Sequence, residues 1–159
     1  MLLETERFGK ISFKEDEIIY FPEGILGFEE LHHYVIVKQD DSIFRFLQSV
    51  DEPSLAFVII MPELVCYDYQ VFIDDGQANN LKLKDANDAE VYCILTVPEN
   101  VAEMTINLRA PVIINKKEKL GKQIVLAEGK YQTRHNVLAE MQRSAFDQKK
   151  QKEKLKKTV

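Results

Sequence analysis

Few residues in this 159-residue chain are of types that carry chemistry, and their spacing works against most reactions they suggest. His32 and His33 stand beside Glu29 and Glu30, an arrangement that invites a metal ion. Neighbouring side chains point to opposite faces of a strand and diverge on a helix, so adjacent histidines chelate one ion poorly and are expected at the surface. Asp74-Asp75-Gly76 lacks the alternating ligands and distal glutamate of a calcium loop and reads as a turn on an acidic surface. Cys66 and Cys93 have no CxxC spacing and apolar neighbours, so buried free thiols are expected. Ser49, Asp51 and His135 offer the residue types of a hydrolytic triad, as any chain of this size does by chance. No nucleophile elbow, Walker loop or dinucleotide fingerprint accompanies them, so neither a cofactor nor catalysis is expected.

Gly24-Ile25-Leu26-Gly27 has the form of a GxxG clamp on a nucleic-acid backbone, but Glu23, Glu29 and Glu30 around it would repel phosphate. The backbone signal here is stronger than the chemical one. Pro22 presets the first central position of a type I turn, Gly24 suits its fourth, and Gly27 adds a second permissive point. Phe21 to Glu29 is therefore expected to form a short arch that carries Ile25 and Leu26 between Phe21 and Phe28. It reads as a plug between two strands before it reads as a binding loop.

The elements around the arch are mostly strands. Leu2 to Phe13 suggests two short strands or one bent one, and Ile18 to Phe21 leads into the arch. Tyr34 to Val37 and Ile43 to Ser49 form a hairpin across Gln39 to Ser42, with Phe44, Phe46 and Gln48 on one face. Leu55 to Met61 is apolar on both faces and reads as a central strand ended by Pro62. Val71 to Ile73, Glu90 to Val97, Met104 to Leu108, Pro111 to Asn115 and Gln123 to Ala127 are further strands. Met104 to Leu108 pairs with Pro111 to Asn115, Lys116 to Lys122 is a charged loop, and Gln77 to Leu83 is a short helix or a loop. From Asn136, a plausible N-cap, Val137, Leu138, Met141, Ala145 and Phe146 mark one face of a helix. Past Phe146 the stripe stops, apart from Leu155, and the end is expected to fray. The predicted fold is mainly β: a small antiparallel β-barrel-like or sandwich domain over 1–135, with a C-terminal α-helix and lysine-rich tail over 136–159.

The length suits one core, and the longest apolar run is too short to span a bilayer. Met1 to Phe8 carries Glu4, Glu6 and Arg7 where a signal peptide needs an apolar stretch, so a cytoplasmic protein without membrane contact is expected. Asp147 to Val159 holds six lysines against two acids, a balance of +4, so the rest of the chain carries −9 to give the net −5. An acidic body argues against direct nucleic-acid binding. Two other readings stay open: a nucleic-acid-binding β-barrel using the basic tail, and a small hydrolase or ligand binder with a pocket beneath the arch.

Four stretches, FPEGILGFE (21–29), FRFLQSVDEPSLAF (44–57), TINLRAPVIIN (105–115) and QIVLAEGKYQTR (123–134), together closely resemble the FliW family of flagellar assembly factors. The resemblance covers nearly all of the chain except the lysine-rich tail. It implies a cytoplasmic, non-enzymatic β-barrel-like protein that binds newly made flagellin. When flagellin has been exported, such proteins bind the translational regulator CsrA instead and relieve its block on flagellin mRNA. Carried over by position, the motif residues are Phe21, Gly24, Gly27, Phe28 and Glu29 in the arch, Phe46, Gln48, Ser49, Asp51 and Pro53 after it, then Asn107, Leu108, Pro111 and Asn115. Of these, Phe21, Gly24, Gly27, Phe28, Glu29, Phe46, Gln48, Ser49, Asn107, Pro111 and Asn115 are the candidate partner-binding residues. Phe21, Phe28, Phe44 and Phe46 would line a groove for an amphipathic flagellin helix or else be core. Glu63, Asp68, Asp74, Asp75 and Glu90 are candidates for an acidic patch that faces CsrA and repels RNA.

Overall fold

The structure is a computed structural model that describes residues 1–127 and 129–157. The last part of the predicted tail, Thr158 and Val159, lies outside the described residues.

The N-terminal stretch forms two paired strands, β1 (Leu2–Thr5) and β2 (Gly9–Ser12). A meander follows: β3 (Ile19–Tyr20), β4 (His33–Lys38), β5 (Arg45–Ser49), β6 (Ala56–Ile60) and, after the short helix α1 (Asp75–Asn80), β7 (Ala89–Thr96). Each of β3 to β7 pairs antiparallel with the next. The hairpin of β9 (Val112–Asn115) and β10 (Leu120–Gln123) then closes the sheet into a seven-stranded barrel. β9 pairs antiparallel with β7, and β10 meets β3 in parallel at Leu120 and Tyr20. β8 (Thr105–Ile106) and β11 (His135–Asn136) extend the sheet past the end of β7, and α2 (Val137–Lys157) follows.

Closure explains why so many strands are apolar on both faces. Alternate residues of β9 illustrate it: Val112 and Ile114 enter the barrel interior with Phe21, Tyr34, Leu47, Ile59 and Tyr92, while Ile113 turns outward to Leu81 and Ile124 beside α1. A further cluster outside the barrel packs Cys66, Cys93, Leu95, Ile106 and Leu108 against Val137. β5 is likewise covered twice, because Phe8 stands edge-on to Phe46 at 5.0 Å and Arg7 lies over that ring.

Several expected elements differ. Val71 to Ile73 is not a strand; Phe72 is exposed, and the segment lies beside α1 without ladder partners. The strands at Met104 to Leu108 and Pro111 to Asn115 do not pair with each other. Both run along β7, interrupted where Asn107 Oδ1 accepts the Ala110 N–H and Pro111 offers no N–H. The charged segment 116–122 is a loop only to Lys119; the strand begins at Leu120, and the chain beyond Gln123 continues alongside 109–111 through Ile124 and Leu126. The helix runs past the end of its apolar stripe at Phe146 and ends at Lys157.

Candidate partner-binding site

The arch is three successive turns. Gly24 N–H donates to Phe21 O (3.0 Å), Phe28 N–H to Ile25 O (2.7 Å) and Leu31 N–H to Phe28 O (3.1 Å). Gly24 and Gly27 both hold positive φ, +66° and +89°, so the spacing PEGILG specifies the path directly. Gly24 is doubly constrained: a Cβ there would lie 2.6 Å from Phe28 O and 2.7 Å from Glu29 Cα. Around Gly27 there is open space.

What the arch buries and what it displays are separate sets. Phe21 is fully buried, edge-on to Tyr34 at 5.1 Å, and Ile25 is buried beside it. Gly121 of β10 makes room for the Phe21 ring, since a Cβ there would fall 2.3 Å from Cζ. Leu26 at the tip is 57% exposed and Phe28 is 39% exposed. Phe28 rests edge-on against Phe57 (5.4 Å) and so projects from a fixed base. Glu29 Oε1 accepts the Gly27 N–H, which holds its carboxyl below the usual carboxylate range. Gln123 ties the tip to the barrel: its Oε1 accepts from Leu26 N–H (3.0 Å) and its Nε2 donates to Ala110 O (3.1 Å). Gly121 and Gln123 were not singled out from the sequence. A polar residue heading an apolar run was the available signal for Gln123, whereas nothing local marks Gly121.

The remaining candidate residues do not join the arch at the surface. Phe46 is buried beneath Phe8 and Arg7, so it cannot line a groove with Phe28. Gln48 is fully buried, with Nε2 donating to the carbonyls of Ser49, Pro53 and Leu55; Ser49 Oγ accepts from Glu52 N–H. Both side chains hold the turn before β6. Asn107 shapes the break before Pro111, which is buried. Asn115, also buried, donates to Leu81 and Lys82 carbonyls and accepts from Lys117 and Glu118 N–H groups, joining α1 to the β9–β10 turn. Polar residues on these apolar strands thus satisfy backbone groups.

The acidic candidates are dispersed. Glu90 pairs with Lys116 at 3.7 Å, and Asp68 with Arg143 at 3.1 Å and Lys130 at 3.8 Å. Glu63 is exposed in a single-turn helix after Pro62. Only Asp74 and Asp75 adjoin, at the start of α1, where Asp74 Oδ1 caps the helix by accepting Gln77 N–H. Beside them a groove of about 650 Å³ runs between α1 and β7, lined by Val71, Ile73, Ala78, Leu83, Ala89 and Val91.

The chemical constellations resolve into structural roles. His33 Nδ1 lies 3.1 Å from both Asp51 oxygens, and Asp51 also accepts the His32 and His33 N–H groups. His135 instead pairs with Glu140, so Ser49, Asp51 and His135 form no triad. Cys66 and Cys93 are buried free thiols, and burial pushes them up to about 11 and about 12. Among the described residues no three His, Cys, Asp or Glu side chains gather as a metal site, and no helix is long and apolar enough to cross a membrane.

The family model described as FliW protein matches residues 2–137. The flagellar assembly factor FliW of Caldanaerobacter subterraneus subsp. tengcongensis is 43% identical over 143 residues, covering 89% of this chain and 95% of that protein. The FliW of Alkaliphilus metalliredigens is 43% identical over 145 residues, covering 90% of each. A crystal structure of the flagellar assembly factor FliW superposes with a TM-score of 0.81 at 36% identity, covering 86% of this chain and 96% of that one.

Proposed function

The chain belongs to the FliW family, and from that premise we propose that it is a non-enzymatic cytoplasmic assembly factor that exchanges two protein partners, flagellin and CsrA. The observation that carries the reading is the arch: two apolar side chains, Leu26 and Phe28, held outward on a backbone fixed by three turns and by Gln123. Unpolymerised flagellin exposes amphipathic helices, and apolar anchors on a rigid base bind such helices with little further loss of conformational freedom. In this reading Gly24 and Gly27 shape the flagellin contact and Leu26, Phe28 and Glu29 make it, while Phe21, Phe46, Gln48, Ser49, Asn107, Pro111 and Asn115 support it from within.

The CsrA contact is assigned to the start of α1. Asp74 and Asp75 are exposed there beside the groove, whose apolar lining is interrupted by Asp75 itself, Asn79, Lys84 and Asp85. Carboxylates set next to an RNA site repel phosphates within a Debye length of about 8 Å without occupying the site. CsrA would be relieved of RNA by charge rather than by steric overlap.

Calorimetric titration with cognate flagellin, with cognate CsrA, and of each into the other's complex tests the proposal. Both are expected to bind, and flagellin to displace CsrA. A folded protein that binds neither partner would overturn it.

A further inference from the structure

One mouth of the barrel is charged, although the interior behind it is apolar. Lys38 ends β4, Arg45 begins β5, and the two face each other across the ladder. Alternation puts them on the same face as Tyr34 and Leu47, which are barrel core. Lys116 and Lys119 reach the same mouth from the β9–β10 turn, and Glu17 and Glu90 complete its rim. Together they line a cavity of about 210 Å³ that also touches Ile36 and Tyr92.

The charge here is opposite to that of the body as a whole. Four cations meet two carboxylates, an excess of two positive charges on a body that carries −9 without its tail. Like charges directly opposite on paired strands are destabilising, so Lys38 against Arg45 is an arrangement the fold alone disfavours. Among the described residues, Lys116 has Glu90 as an ion-pair partner, while Lys38, Arg45 and Lys119 make no ion pair within 4.0 Å. Arg45 is nevertheless aimed. Its Nη1 donates to the Tyr92 hydroxyl at 2.6 Å, and that hydroxyl donates to Glu90. The guanidinium has five N–H donors, and this contact uses one.

We propose that this mouth binds a phosphate group, with Arg45, Lys38 and Lys119 as its ligands. A phosphate carries about −1.5 to −2 at pH 7, which matches the excess charge, whereas a single carboxylate would leave half of it uncompensated. The planar guanidinium suits two phosphate oxygens at once, and barrel mouths are a recurrent position for small ligands. The inference stands on the cation cluster and does not depend on the partner-exchange reading.

The test titrates inorganic phosphate into the full chain at constant ionic strength, with chloride making up the difference, and follows amide chemical shifts and the thermal midpoint. Saturable shifts at Lys38, Arg45 and Lys119 with a raised midpoint are expected. Adenosine monophosphate titrated in parallel distinguishes the source: tighter binding than inorganic phosphate identifies the phosphate of a small organic molecule, and equal binding identifies free phosphate. Lys38→Gln should raise the midpoint in chloride, by relieving the like-charge pair, while weakening phosphate binding about tenfold. A variant that merely misfolds cannot give both signs. The proposal is overturned if phosphate gives no saturable shifts, if chloride alone reproduces them, or if Lys38→Gln leaves phosphate affinity unchanged.

Discussion

Two glycines of the arch have the same backbone sign but different surroundings, and that difference separates their expected substitutions. Gly27→Ala meets only the strain of its φ of +89° and should cost about 1 kcal/mol in urea unfolding. Gly24→Ala adds collisions with main-chain atoms of Phe28 and Glu29, which cannot swing away, and should cost about 3 kcal/mol or more. Both glycines were legible as constraints, because a turn signature states a backbone requirement. Which one is also crowded was not, since the crowding comes from how the third turn folds back. Asp51 shows a similar limit. Burial alone would raise its carboxyl, but the His32 and His33 N–H groups and the His33 ring outweigh it and hold the group below its usual range. With a folded value below the unfolded one, its stabilisation is present above the unfolded value near 3.8 and is lost as pH falls through the folded value. Asp51→Asn should therefore flatten the acid limb of a stability-versus-pH curve measured by denaturant unfolding, below about pH 4.

At the scale of elements, α2 shows where periodicity misleads. Its apolar residues were read as one face of the helix, yet Leu138 and Phe146 are exposed and Ala145 faces solvent. The docked face is instead Val137, Met141 and Ser144, with Arg143 beside it. Arg143 reaches Asp68 and the Cys66 sulfur, and it also holds Glu140 and Asp147 of its own helix. Ser144 Oγ donates to Val65 O and accepts from Tyr67 N–H, satisfying a segment that has no strand partner. A polar contact replaces an apolar one because the underlying surface presents backbone groups, and no helical period encodes that. Ser144→Ala should destabilise the protein by about 1–2 kcal/mol in equilibrium unfolding, more than the truncation of exposed Leu138 to alanine. The strands were more legible, since β-branched runs and proline stops mark them. Where neighbours in sequence became neighbours across a short turn, as in the β4–β5 hairpin, their pairing was legible too. The joint alignment of β8 and β9 on β7 was not.

At the scale of the whole molecule, the negative balance was readable from composition, but its distribution was not. Glu90 and Asp68 share one sign yet sit in different ion pairs; of the five acidic candidates only Asp74 and Asp75 are adjacent, and among the described residues neither has a cation within 4.0 Å. Reversing both, Asp74→Lys with Asp75→Lys, should weaken relief of CsrA repression several-fold more than flagellin affinity, measured by RNA competition and by calorimetry. Equal losses in a folded variant would detach this pair from the CsrA contact. Closure of the barrel has a further consequence, one of timing during synthesis. The meander from β3 to β7 leaves two open edges, and a single hairpin, β9–β10, covers both of them. A ribosome-bound chain that has emerged only as far as β7 lacks the hairpin that covers both rims. Such rims attract other strands, so the nascent protein is most vulnerable to aggregation until Gln123 has cleared the exit tunnel.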